Sequence, residues 1–124
     1  MEIIRDKEFV NQFHFDARNL EWEKQNGEPK THMKVDFQLL EKNSKENQTH
    51  LVTILRFMIV MESHVISGAV SQGVRLLERI LNEPSEFSEE ERRELVAPLF
   101  DIVKRLTYEV TEIAFDAPGV NLEF

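Results

Sequence analysis

Residues 51–61 constrain this chain more than any other stretch. They read Leu-Val-Thr-Ile-Leu-Arg-Phe-Met-Ile-Val-Met, with Leu51, Thr53, Leu55, Phe57, Ile59 and Met61 on one parity and Val52, Ile54, Met58 and Val60 on the other. Side chains alternate across a strand, so a run that is apolar on both parities belongs at the centre of a sheet, with a cover on each side. Its longest unbroken apolar part, Phe57 to Met61, is far shorter than the ~20 residues a membrane-crossing helix needs. No membrane partner is expected, and Glu2, Arg5 and Asp6 interrupt the first apolar pair before a secretory leader develops.

Period two governs the first two-thirds of the chain and period 3.6 the last third, which predicts an α+β fold. A first strand over residues 3–17 sets Phe9, Phe13, Phe15 and Ala17 on one face and Gln12, His14 and Asp16 on the other. Leu20 and Trp22 follow in a connection that ends at the loop Asn26-Gly27-Glu28-Pro29. The second strand, 31–41, alternates Met33, Val35, Phe37 and Leu39 against Lys34, Asp36 and Gln38, and the polar run from Glu41 to Gln48 turns the chain into the third, 49–62. In the fourth, 64–81, Gly68 and Gly73 mark a bulge or a close backbone approach. Its end, Val74 to Leu81, also fits helical spacing but reads as a bent continuation of the strand.

Ser88-Glu89-Glu90-Glu91 forms a capping box that opens a helix over 88–115. Its apolar stripe is Leu95, Leu99, Ile102, Leu106, Val110 and Ile113, and Pro98 should kink or divide it near Ala97. Residues 116–124 form an extended tail carrying Val120, Leu122 and Phe124. The expectation is one domain over 1–124, a four-stranded antiparallel sheet with one long, proline-kinked C-terminal helix packed on one face.

Charge and chemistry narrow the function. Lys and Arg number 15 against 23 Asp and Glu, a net charge of −8 that repels a phosphate backbone, so no nucleic acid partner is expected. The absence of cysteine removes disulfides, thiolate zinc sites and thiol nucleophiles, and fits a cytoplasmic location. His14, His32, His50 and His64 lie in separate segments and read as isolated imidazoles, while Asp16 and Glu21 read as a solvated charged face. No phosphate loop, nucleophile elbow or paired-histidine zinc motif occurs. No catalytic residue, metal or cofactor is expected. Trp22, among Glu21, Glu23 and Lys24, either plugs the core or presents a contact. The second apolar row of residues 51–61 needs a partner subunit, a folded-back tail or a client chain as cover.

Short segments in a shared order carry a family resemblance. Phe15-Asp16-Ala17-Arg18-Asn19 resembles the Phe-Glu-Ala-Pro-Asn motif ending the first strand of the bacterial export chaperone SecB, and Glu28-Pro29 leading to Lys34-Val35-Asp36-Phe37 resembles the start of its second strand. Val70-Ser71-Gln72-Gly73 is similar to a Val-Gln-Gln-Gly bulge, the Pro98 helix to a long helix with an interior Phe-Pro, and Ala117-Pro118 with Val120-Asn121-Leu122 to an Ala-Pro-Val-Asn-Phe segment. The chain resembles still more closely a small family of acidic, SecB-like proteins of unknown function from Gram-positive bacteria. The resemblance implies a non-catalytic, chaperone-like binding module that holds unfolded polypeptide or a dedicated protein partner and assembles as a homodimer or homotetramer. The alternative is a structural homo-oligomer without general chaperone activity. Leu20, Trp22, Met33, Phe37, Met58, Val60, Leu122 and Phe124 are the residues expected to bind.

Overall fold

In the computed structural model, which describes residues 1–124, the doubly apolar run lies in β4 (Gln48–Val60), between β3 (His32–Asn43) and β5 (His64–Leu76). β1 (Ile3–Arg5) and β2 (Phe9–Ala17) pair one after the other with the far side of β5, and every pairing is antiparallel. A short helix, α1 (Leu20–Asn26), links β2 to β3; a 3-10 turn at Pro84–Glu86 precedes the long α2 (Glu89–Phe115), which lies on β4 and β5. The fold is α+β, a five-stranded antiparallel sheet with a long helix on one face.

The fifth strand arises because the first segment breaks. Asp6 N–H donates to the Gly73 carbonyl at 2.9 Å, its carbonyl accepts from Gln72 Nε2 at 2.8 Å, and its carboxylate lies where a Cβ on Gly73 would come within 2.4 Å of Oδ2. A bulge between Val10 and Gln12 then inserts Asn11, whose Oδ1 accepts from Ser71 Oγ at 2.8 Å. One extra residue reverses parity. Phe13 and Phe15 keep the helix-facing side, whereas Phe9, opposite Ser71, leaves that face and is 64% exposed. At the same place Gly68 meets the Gln12 carbonyl so closely that a Cβ would stand 2.1 Å from its oxygen.

β5 ends at Leu76, not at 81. Glu78 takes a positive φ of 56°, Arg79 N–H donates to Asn47 O at 2.9 Å, and Leu81 N–H to Thr49 Oγ1 at 2.8 Å. This turn tucks Leu81, fully buried, beneath the start of β4. At the other hairpin β3 extends to Asn43, leaving only residues 44–47 to turn, and a bulge at Leu40 exposes that side chain.

Ser88 Oγ accepts from Glu91 N–H while Glu91 returns the bond to Ser88 N–H, so the capping box opens α2 as its sequence requires. Pro98 does not divide the helix. It cannot donate to the Glu94 carbonyl one turn back, and Arg5 donates instead, at 2.6 Å from NH2 to Glu94 O and 3.2 Å from NH1 to Leu95 O.

The core beneath α2 has two apolar clusters. One gathers Leu55, Phe57, Ile59, Ile66, Val70, Val96, Leu99 and Val103; the other gathers Leu51, Val74, Leu76, Leu81, Phe87 and Leu95. Thr53 and Gln72, paired across β4 and β5, lie between them in register, and Gln72 Oε1 accepts from Arg5 at 3.0 Å.

Along α2 the buried line runs Leu95, Leu99, Val103, Thr107, Thr111. Steps of four advance about 40° beyond a full turn, so this line drifts away from the apolar stripe of the sequence. Leu106 and Val110 are only half-buried, and Ile113 is 77% exposed. The opposite face of β4, Val52, Ile54, Met58 and Val60, is half-buried, and no helix of this chain lies across it. No helix is long and apolar enough to cross a membrane.

Candidate functional site

Two apolar grooves and a folded-back tail bring the candidate residues into groups. The first group depends on α1. Asn19 Oδ1 accepts from Trp22 N–H at 3.0 Å as its N-cap, and Gly27, at φ 98°, closes the far end by donating to Glu23 O. Arg18 fixes the helix to the sheet: it donates to both Glu23 carboxylate oxygens, at 2.6 and 3.2 Å, and to the Met61 and Glu62 carbonyls. The hydrogen bond to buried Glu23 raises the Arg18 pKa further, so the guanidinium stays charged. Rigid anchoring holds Leu20 and Trp22 in water, 55% and 57% exposed. Trp22 does not plug the core. It lines a groove of about 600 Å³ with Ala17, Pro29, His32, Met58 and Val65.

The second groove, of about 520 Å³, lies between β3 and the first turns of α2, lined by Val35, Phe37, Val96 and Pro84, with Arg92, Arg93 and Glu89 at its polar side. Phe37 also packs on Phe87, ring centroids 5.3 Å apart.

The tail folds back along α2: Val120 N–H donates to Thr111 Oγ1 at 2.8 Å, Leu122 packs on the first core cluster, and the Phe124 ring lies 5.2 Å from Phe100. Lys104 is 5.0 Å from that ring, and its Nζ donates to the Phe124 carbonyl.

The eight residues singled out from the sequence therefore do not form one surface. Trp22 and Met58 share the first groove, and Phe37 lines the second. Met33 and Leu122 pack against the core, Phe124 rests on α2, Val60 lies on the open sheet face, and Leu20 projects from α1. The histidines stay apart, His64 stacking on Phe15 at 4.6 Å, and no three His, Cys, Asp or Glu residues converge as metal ligands.

A family model described as a protein of unknown function, DUF1149, matches residues 1–124. The chain belongs to this family. A DUF1149 chain of this kind is similar to a protein of unknown function from Streptococcus agalactiae, known from its crystal structure, with 58% identity over 100% of this chain and 98% of that one and a TM-score of 0.97. A SecB-like chaperone from Mycobacterium tuberculosis, solved in complex with a ChAD peptide from the HigA1 antitoxin, is a distant structural neighbour. It is 11% identical over 98% of this chain and 86% of that one, with a TM-score of 0.44. No curated protein matches the sequence.

Helix α1, read from the sequence as a connection, is the element of this DUF1149 chain that pattern reasoning missed. Its signals were present: Asn19 as a capping residue, Glu21 and Glu23 in the first turn and Gly27 just past the end. Seven residues are too few for a periodic stripe to show.

Proposed function

We propose that this chain is a non-catalytic, cytoplasmic binding module that holds an extended apolar polypeptide, presented by an unfolded client or by one dedicated protein partner. A single observation carries the reading: Trp22 stands more than half exposed on a helix locked by the Arg18–Glu23 pair, at the mouth of a groove floored by Met58 and Val65. An exposed tryptophan above a polarizable methionine gives large contact area to varied side chains at low entropic cost. Beyond the groove, Val60 and the rest of the outer β4 row extend a half-buried apolar floor along which a strand-like client would lie.

Trp22 is the chain's one tryptophan, so its emission reports on the groove directly. Unfolded, apolar-rich peptide should shift that emission and the protein should delay aggregation of a denatured client, with Trp22→Ala, which removes the fluorophore, weakening the delay of aggregation at least about tenfold. A native protein that changes neither signal at micromolar peptide removes the reading.

A second reading is favoured by a separate observation. Phe9 and Ile113, 64% and 77% exposed, are large apolar side chains on an edge strand and on the unburied side of α2. Self-association into a homodimer or homotetramer would cover them. In this alternative the apolar surface is consumed by assembly and no general client is held.

A further inference from the structure

β3 is the longest strand with an open edge. It ends the sheet order with β4 on one side, and no backbone hydrogen bond outside that ladder reaches residues 32–43, so a row of donors and acceptors faces water. Exposed edges are ordinarily blunted by proline, a bulge or shortness, and β2 at the other end of the sheet carries its bulge at Asn11. β3 is not blunted in this way. From His32 to Leu39 it keeps unbroken register with β4, contains neither proline nor glycine, and meets its bulge only at Leu40.

The charges on this edge are complementary to themselves. Lys34 is exposed and makes no ion pair within the chain, while Asp36 accepts from Arg56 through Oδ2 alone and keeps 40% of its side chain in water. A strand that pairs antiparallel with its own copy about a two-fold axis keeps opposed side chains on one face, so the axis passes through a residue. Centred on Lys34 the pairing sets that lysine against itself, and centred on Asp36 it sets carboxylate against carboxylate. Centred on Met33 it runs out of the strand before Asp36 finds a partner, and centred on Phe37 it drives Lys34 onto the bulged Leu40. Val35 alone satisfies every position. There Lys34 faces Asp36 of the second copy twice, Met33 faces Phe37 twice, and the pairing spans Thr31 to Leu39, stopping where the bulge begins.

We propose that β3 pairs antiparallel with β3 of a second copy of this chain, centred on Val35, so that the two sheets become continuous with both α2 helices on the same side. The groove of about 520 Å³ is completed by this pairing: Val35 and Phe37 line it from β3, and Met33 of the second copy stands beside Phe37 at its open side. The surface is distinct from Phe9 and Ile113, which lie on the opposite edge and on α2, and does not depend on the Trp22 groove.

The chain has no cysteine, so single cysteines in the full chain report on the pairing directly. Val35→Cys should link to its own copy through a short bismaleimide, whereas Gln38→Cys should not, because the two copies of residue 38 stand about 20 Å apart in this register. Charge reversal gives the second arm. Lys34→Glu and Asp36→Lys, each of which sets like charges against each other twice, should each weaken association by about tenfold or more in sedimentation, and an equimolar mixture of the two should restore it, since every opposed pair is then of opposite sign. If Asp36→Lys, which also loses Arg56, does not fold by far-UV circular dichroism, Lys34→Glu and the cysteine pair carry the test. A Val35→Cys chain that links no better than Gln38→Cys overturns the proposal, as does a mixture no more associated than its components. An assembly that Phe9→Asp breaks and Lys34→Glu leaves intact overturns it as well, while the self-association through Phe9 and Ile113 stands.

Discussion

Arg5 compensates for a proline 93 positions along the chain. Pro98 leaves the Glu94 carbonyl without its helical donor, and the Arg5 guanidinium supplies one while also holding Gln72 between the two core clusters. Arg5→Ala should therefore lower the unfolding free energy by about 1.5–3 kcal/mol, the range for hydrogen bonds to a charged group. In a Pro98→Ala background, where the restored backbone N–H of the substituted residue can donate to Glu94, the loss should be smaller; urea unfolding of the four proteins gives the coupling, and strictly additive effects would contradict this account. Gly68 makes a different demand. Its Cβ position is occupied by the Gln12 carbonyl, a backbone atom that can move only if β2 moves, so Gly68→Ala should cost about 3 kcal/mol or more by the same measurement. The isolated glycine was legible as a close approach; which backbone approaches it was not, because the bulge at Asn11 depends on pairing with β5.

The start of α2 couples a local sequence signal to a distant cation. Glu91 is held below its ordinary pKa of 4.5 first by the Ser88 backbone N–H and then by Arg79, which pairs with it and lies over the Phe87 ring. A carboxyl whose folded pKa is depressed contributes stability above its unfolded value, and loses it as pH falls through the folded one. Stability should thus decline on acidification below about pH 4.5, and Glu91→Gln, less stable at neutral pH, should show a shallower decline in urea midpoint over that window. An unchanged slope would mean that other carboxylates govern the acid limb. Capping box, strand alternation and helix length were all readable because each rests on neighbours within a few residues. The fate of α2's second half was not: Thr107 and Thr111 are buried while Ile113 is exposed, since the line that continues to Phe115, packed on Phe15 and His64, is the one turned to the sheet, and the returning tail meets it at Thr111.

Across the whole chain, the sheet has one face under α2 and one face half-buried, with apolar side chains remaining on the edge strand and on the unburied side of the helix. Sedimentation at micromolar concentration should show a dimer or tetramer that Ile113→Asp or Phe9→Asp shifts toward monomer; a wild-type monomer would remove the assembly reading and leave the peptide-holding one standing. Alternation and composition alone established an α+β chain with β4 at its centre, a capped C-terminal helix and more apolar surface than one helix covers, because side-chain period and burial tendency are local properties. Tertiary pairing decided the rest. The split of the first strand, the reversal that exposes Phe9, the locking of α1 that holds Trp22 in water and the path of the tail along α2 all depend on groups far apart in sequence, whose hydrogen bonds and close contacts exist only once the strands and helix are assembled.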